Sequence, residues 1–236
     1  MNRRTFVKTL PAFTMLAGTA SVCAQDLPPI ALPKPEKDGG KSVLAALWER
    51  KTIRDISAER LSPQVLSNLL WAAFGVNREN GPFGQVGRTA ASASNSQEID
   101  LYVAMPEGIY LYEAVPHRLT PVVAGDHREK AGGRRRGTSA AKAPVNLIYV
   151  ADLAKYGKAR LQEPGLRDPE IQKAYYNVAA GLIAGNVYLF AASQGLAAWF
   201  HNCNRAALAT ELKLRSEQRV LFAQTVGRPV KSQPVR

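Results

Sequence analysis

Three short segments of this 236-residue chain combine residue types able to grip an anionic, nucleotide-like ligand. Arg50-Lys51-Thr52-x-Arg54 packs three cations and a hydroxyl into five positions. Guanidinium forks pair bidentately with phosphate, Lys adds a point charge and Thr one further hydrogen bond. The same composition also suits a plain charged surface. Ala91-Ser92-Ala93-Ser94-Asn95-Ser96-Gln97 is a run of small hydroxyl and amide residues. In a loop it offers backbone N–H groups and short side chains to a polar heterocycle, and its amides lead directly into a strand, unlike a free linker. Val226-Gly227-Arg228-Pro229 follows a late apolar run, with Lys231 close behind. His201 stands beside Trp199 and Phe200, where it can line a pocket or simply pack. No Cys/His cluster has zinc spacing, and no Gly-rich phosphate loop opens a helix.

The elements that must position these residues are readable in outline. Val43 to Arg50 carries Leu44, Leu47 and Trp48 on one helical face, so the first cationic segment follows a short helix. Ser62-Pro63 is a strong helix start, because the hydroxyl can cap and proline sits where its missing N–H costs nothing. Val65, Leu66, Leu69, Leu70 and Ala73 give that helix a buried stripe, and Gly75 is its expected stop. Ile99 to Met105 and Ile109 to Ala114 read as strands of a hairpin joined by Pro106-Glu107-Gly108. Val145 to Val150 is a continuous apolar run, as expected of a strand covered on both faces. Ile171, Tyr175, Val178, Leu182 and Leu189 keep helical spacing over a long segment. Ala179, Ala180, Gly181, Ala184 and Gly185 within it would let another helix approach, so it should be central or at a subunit interface. A strand over Leu196 to Phe200, a helix over Ala206 to Leu212 and a strand over Val220 to Val226 complete a mixed α+β pattern.

The formal charge is +12, and the chain opens with an address. Asn2-Arg3-Arg4-Thr5-Phe6-Val7-Lys8 precedes a mildly apolar stretch and Val22-Cys23-Ala24, an approximate small-x-small cleavage site. The arginine pair resembles the twin-arginine export motif, whose cargoes travel folded and often carry a cofactor. Residues 1–24 are therefore expected to be a removable signal, 25–41 a Pro- and Gly-rich linker without regular structure, and 42–236 one domain. Periplasmic localisation follows. Removing the signal leaves a formal charge of about +9 and one cysteine, Cys203, so the core must supply the stability. The basic run Arg134-Arg135-Arg136 falls in a solvated loop. A nucleic-acid role rests on charge alone, lacks interleaved aromatics and sits badly with export.

Taken in order, the Arg-x-Thr-x-Arg segment, the Ser-x-Ser-Asn-Ser-Gln turn and the late Val-Gly-x-Pro resemble the nitroreductase family. Ala143-Pro144-Val145-Asn146-Leu147-Ile148-Tyr149-Val150-Ala151-Asp152 fits the likeness, as does Ala180-Gly181-x-x-x-Gly185-Asn186-x-Tyr188-Leu189-x-x-Ala192-x-x-Gly195-Leu196. Gly108-Ile109-Tyr110-Leu111-Tyr112 is similar to the G-x-Y-x-Y of the branch containing peptide thiazoline dehydrogenases. The resemblance spans about residues 43–230. It implies a three-layer α-β-α sandwich with a central mixed sheet, FMN as cofactor and a homodimer. Carried over, Arg50, Lys51, Thr52 and Arg54 would hold the FMN phosphate and ribityl chain. Ser92, Ser94 and Asn95 would lie near the phosphate end or the ring, and Arg228 and Lys231 would add a late basic contact. The implied reaction passes hydride or electrons to a small organic acceptor, nitroaromatic or quinone-like. The donor is NAD(P)H, a quinol or a redox partner. Ala91 replaces the usual proline, and the frequent Glu-Gly is absent around Ala197 to Phe200, where the flavin N5 contact is expected. These departures motivate the alternative of a binding or scaffold protein with a degenerate site.

Overall fold

The computed structural model of the protein describes residues 27–132 and 141–230. The proposed signal at 1–24, the Arg134 to Arg136 run and Lys231 lie outside the described residues. Helix α1 (Val43–Glu49) is capped by the Ser42 hydroxyl, and α2 (Pro63–Phe74) by Ser62. Both the Pro63 start and the Gly75 stop stand where the sequence puts them.

Strand β1 (Ile30–Ala31) opens the described chain, and β2 (Val76–Arg78) with β3 (Gly87–Arg88) forms a small separate ribbon. The main sheet adds β4 (Ile99–Met105), β5 (Gly108–Glu113), β6 (Arg118–Ala124), β7 (Val145–Asp152), β8 (Ala197–His201) and β9 (Gln218–Gly227). Its order is β1-β6-β5-β4-β7-β9-β8. Every described pairing is antiparallel, where a mixed sheet was expected. The long helix between β7 and β8 crosses over to a strand parallel to β7, but β9 inserts between the two, so each of them bonds only to an antiparallel neighbour. Met105 pairs with Gly108, so the β4–β5 turn has two residues, Pro106 and Glu107, instead of three.

The remaining helices, α3 (Arg128–Ala131), α4 (Pro169–Ser193) and α5 (Arg205–Glu211), complete three layers. Leu147, Tyr149 and Ala151 of β7 face the layer containing α2 and α4. Ile148 and Val150 face the layer containing α3 and α5. All eight β7 residues are buried, as a strand covered on both faces requires.

The segment before α1 is not a free linker. Ile30 and Ala31 pair with Leu119 and Arg118, and α2 holds the proline-rich stretch through its side chains. Gln64 Nε2 donates to the Lys34 carbonyl, Asn68 Oδ1 accepts from the Glu36 N–H, and Ser67 Oγ donates to the Pro33 carbonyl. A proline-rich chain offers few N–H groups but keeps every carbonyl, so donors on a neighbouring helix can dock it without regular structure.

Candidate functional site

One set of cations is assembled at the C-terminal end of α4. Leaving α1, the chain turns against β8, where Ile53 N–H donates to the Ala198 carbonyl at 3.1 Å. Tyr188 of α4 clamps this turn. Its hydroxyl accepts from the Phe200 N–H at 2.9 Å and shares a second hydrogen bond with Thr52 Oγ1, 3.1 Å away. The Arg50 guanidinium lies 5.5 Å from the Tyr188 ring centroid, and Arg54 lies 5.6 Å from that of Trp199. Arg50 and Lys51 line a cavity of about 370 Å³ with Ala192, Gly195 and Leu196.

The end of β9 joins the same place. Ser57 N–H donates to the Arg228 carbonyl at 2.8 Å, and Val230 N–H to the Asp55 carbonyl at 2.9 Å. Ile56 bridges to Pro229 between them. Gly227 is required here, because a Cβ would meet Ile56 Cγ2 at 2.7 Å and Pro144 at 2.9 Å. Residues 50–54 and Arg228, separated by most of the sequence, are thereby gathered on one edge. The Arg228 side chain is paired with Glu59 at 2.9 Å.

The second set sits elsewhere. Residues 92–97 form a tight loop in which Ser94, Asn95 and Gln97 all take positive φ, near 50°. That conformation costs an L-residue about 1–2 kcal/mol, and such strain concentrates at functional loops. Gln97 is the hub that sustains it. Its Oε1 accepts from Arg88 Nε at 2.6 Å, and its Nε2 donates to the Val86 carbonyl and to Asn95 Oδ1. Ser92 Oγ accepts from the Gln97 N–H, so this hydroxyl closes the loop. Ser96 Oγ donates to the fully buried Glu98, which forms the floor.

Ser92, Ser94 and Asn95 line a chamber of about 780 Å³ that also includes Arg78, Phe83, Arg88, Leu161, Glu163 and Tyr175. Asn77 and Thr89 also line a cleft of about 320 Å³ beside α1 and α4. The chamber and the cationic cavity have no residue in common. The chamber runs along α4: its Thr89 side is bonded to Asn186, while the loop end, where Ala93 packs with Tyr175, lies thirteen positions from Tyr188, about 20 Å at 1.5 Å per residue. One chain therefore unites Arg50, Lys51, Thr52, Arg54 and Arg228, but does not bring Ser92, Ser94 and Asn95 to them.

His201 is packed. It is buried, with its ring 4.4 Å from that of Trp199 and tilted by 45°, and bonded to Thr225 Oγ1 and the Asn202 carbonyl. Burial holds its pKa below the usual imidazole value, partly opposed by the Asn202 bond. Arg88 is likewise pushed down by desolvation. Arg88 and Arg78 shape these places and carry no sequence signal of their own, whereas Tyr188 stands in the long-helix motif without its clamping role being legible there. The Ser-Asn-Ser-Gln run does contain Gln97, and its wide hydrogen-bonding reach singles it out only once the loop is folded.

A family model described as the nitroreductase family matches residues 47–228. The chain belongs to that family. A protein from Methanocaldococcus jannaschii named as a nitroreductase is 28% identical over 157 residues, covering 64% of this nitroreductase-family chain and 73% of the relative. The crystal structure of a protein from Ralstonia eutropha JMP134, also named as a nitroreductase, superposes with a TM-score of 0.74 at 35% identity. It covers 86% of this chain and 90% of the other. A chain of the Escherichia coli microcin synthetase McbBCD complex shares the fold, with a TM-score of 0.62 at 16% identity over 97% and 85% of the two chains. The three-layer α+β architecture of this nitroreductase-family oxidoreductase is thus common to its neighbours.

Proposed function

We propose that the protein is an FMN-dependent oxidoreductase that works as a homodimer, each flavin site combining the cationic edge of one copy with the strained loop of the other. The single observation carrying this reading is the separation just described. Two segments suited to one nucleotide lie at opposite ends of α4, so a second copy is needed to join them. The surface between them suits such a partner. Val43, Leu44, Leu47 and Trp48 of α1 are exposed, Trp48 at 91%, as are Val178 and Leu182 of α4. Gly181 and Gly185 leave open space above α4. An apolar patch of this kind on a soluble domain marks an association surface.

The residues fit the cofactor. Arg50, Lys51, Arg54 and Arg228 with Thr52 supply the charge and donors a phosphate needs, and Ser92, Ser94 and Asn95 supply short polar groups around a chamber wide enough for a ring. When bound, FMN supplies the two-electron chemistry. The chain's part is to hold and orient. Tyr188 fixes Thr52 and the base of Arg50, Trp199 supports Arg54, and Gln97 keeps the loop amides in place. Among the described residues no group of three or more His, Cys, Asp or Glu is arranged to hold a metal. The acceptor is a small organic molecule. Export by the twin-arginine route would leave NAD(P)H behind in the cytoplasm, so a membrane quinol or a redox partner is the expected donor.

Protein purified from a host with an intact twin-arginine system should be yellow, and Arg50→Ala with Arg54→Ala should release the pigment. Colourless wild-type protein that will not take up FMN would sink the reading. Flavin retained by the double variant would displace the phosphate assignment and, with it, the site shared between copies, leaving only flavin dependence. Bound flavin that no donor reduces would favour the scaffold alternative.

A further inference from the structure

The chamber beside the strained loop has a charge the cofactor does not require. Four cations already serve the phosphate at the other end of α4. Yet Arg78 and Arg88 both line the chamber, and Glu163 is the one carboxylate among the lining residues. Glu163 is engaged by the Tyr175 hydroxyl, whose pKa it raises. Neither arginine is in an ion pair among the described residues. Arg88 is committed within the protein: it stacks 5.0 Å from the Phe74 ring centroid and donates to Gln97 and to the Phe74 carbonyl.

Arg78 differs. Its guanidinium lies flat on the facing strand at Gly87, where a Cβ would meet Nη2 at 2.5 Å and Cζ at 2.6 Å. Arg78 and Gly87 are register partners in the β2–β3 ribbon, so the cradle is part of the backbone pairing. The guanidinium is thus positioned by the absence of a side chain opposite it, and among the described residues its donors are uncommitted. Phe83 and Tyr175 supply aromatic surface in the same chamber. Phe83 stands at a positive φ of 58°, its carbonyl accepting from Arg160 at 3.2 Å. A volume of about 780 Å³ lies within the range of small-molecule sites.

We infer that the part of this chamber lined by Arg78, Phe83 and Tyr175, beside the flavin ring held along Ser92, Ser94 and Asn95, takes the electron acceptor, that the acceptor is an aromatic molecule bearing a carboxylate, and that Arg78 is the residue that selects for that charge. The inference rests on the flavin reading above and adds the substrate class. A planar carboxylate matches the guanidinium fork, while the ring is left to Phe83 and Tyr175. Because Arg78 is exposed, the preference it confers is moderate and sensitive to salt.

The test uses two nearly isosteric probes, 4-nitrobenzoate and 4-nitrobenzamide, with the purified holoprotein. Binding is measured by calorimetry, and the rate of reoxidation of dithionite-reduced protein by each probe is followed at the flavin absorbance. Wild type should favour the carboxylate by about tenfold, the size of one charge-assisted hydrogen-bonded pair. Arg78→Ala should abolish the preference with flavin content unchanged. Gly87→Ala, which displaces the guanidinium by contact with a flexible side chain only, should do the same, and Arg78→Lys should keep part of it. Equal binding of both probes by yellow wild-type protein would overturn the anionic-acceptor assignment alone. Loss of flavin from Arg78→Ala to the extent seen with Arg50→Ala would place Arg78 in the cofactor site and overturn it as well. Colourless wild-type protein overturns both this inference and the reading beneath it.

Discussion

The two ends of α4 hold polar groups by opposite means. At the C-terminal end, residues 50–57 are braced by partners far away in sequence: Ala198, Tyr188 and Arg228 to Val230. The backbone there is tied into the sheet edge, and charge is what the region presents. At the other end, residues 85–97 are held mostly by one another, through Gln97, Asn95, Ser92 and Arg88. The product is a strained loop with three positive-φ residues. A site that needs charge can be built on a rigid edge, where long side chains adapt. A site that needs short donors must shape the backbone itself, and strain comes with that shape.

The comparison can be broken by substitutions at either end. The largest effect is expected from Arg50→Ala combined with Arg54→Ala. Each loses a charge-assisted contact of about 1.5–3 kcal/mol, so flavin affinity should fall at least a hundredfold while the melting temperature barely moves. Gln97→Leu should behave in the reverse sense. It removes three side-chain hydrogen bonds and leaves Arg88 without its amide, costing about 2–4 kcal/mol of stability by denaturant titration, with flavin loss as a consequence. Tyr188→Phe leaves the Phe200 N–H and Thr52 without their shared partner and should cost about 1–2 kcal/mol, read in the same titration.

The smallest effects sharpen the contrast. Ser94→Gly relieves a strained φ and should raise stability by up to about 1 kcal/mol while weakening flavin binding, since the loop loses its fixed shape. Gain in both would show that the strain serves nothing. Acid should reach the braced end through His201, separately from the half-buried His117 beside α2, whose pKa is also lowered by burial. His201 has its pKa depressed by burial, so the native state binds fewer protons than the unfolded chain. Its contribution is complete above the free imidazole value of about 6.5 and is lost as pH falls through the lower folded value. Trp199, in ring contact with His201, should report this by fluorescence, and His201→Gln should flatten the profile.

How much was legible follows the same division. Helix α2 could be read because its cap, its apolar stripe and its stop are all local. Strand β7 could be read because burial on both faces leaves a continuous apolar run. Strand β6 could not, since Pro121 interrupts it. The proline is tolerated because β1 covers only Arg118 and Leu119, leaving the outer side of Pro121 unpaired, beside an irregularity in the β5–β6 ladder. Within the 25–41 segment read as a linker, the docking of residues 30–36 was hidden for a related reason: composition shows that such a chain cannot order itself, but not that α2 will order it. The cationic segment was visible as charge. The cradle of Arg78 on Gly87 was not, because a ribbon of three and two residues has no period to recognise. Nor could spacing alone tell that one chain would hold the two segments apart.

Complementation between variants tests the composite site most directly. One copy carries Arg50→Ala and Arg54→Ala, the other Ser92→Ala and Asn95→Ala, and the two are co-produced with different affinity tags and purified by both in turn. Each variant alone should lack flavin. The mixed dimer brings one intact cationic edge against one intact loop, so it should hold close to one FMN per dimer. A mixed dimer as colourless as its parents would contradict a site shared between copies.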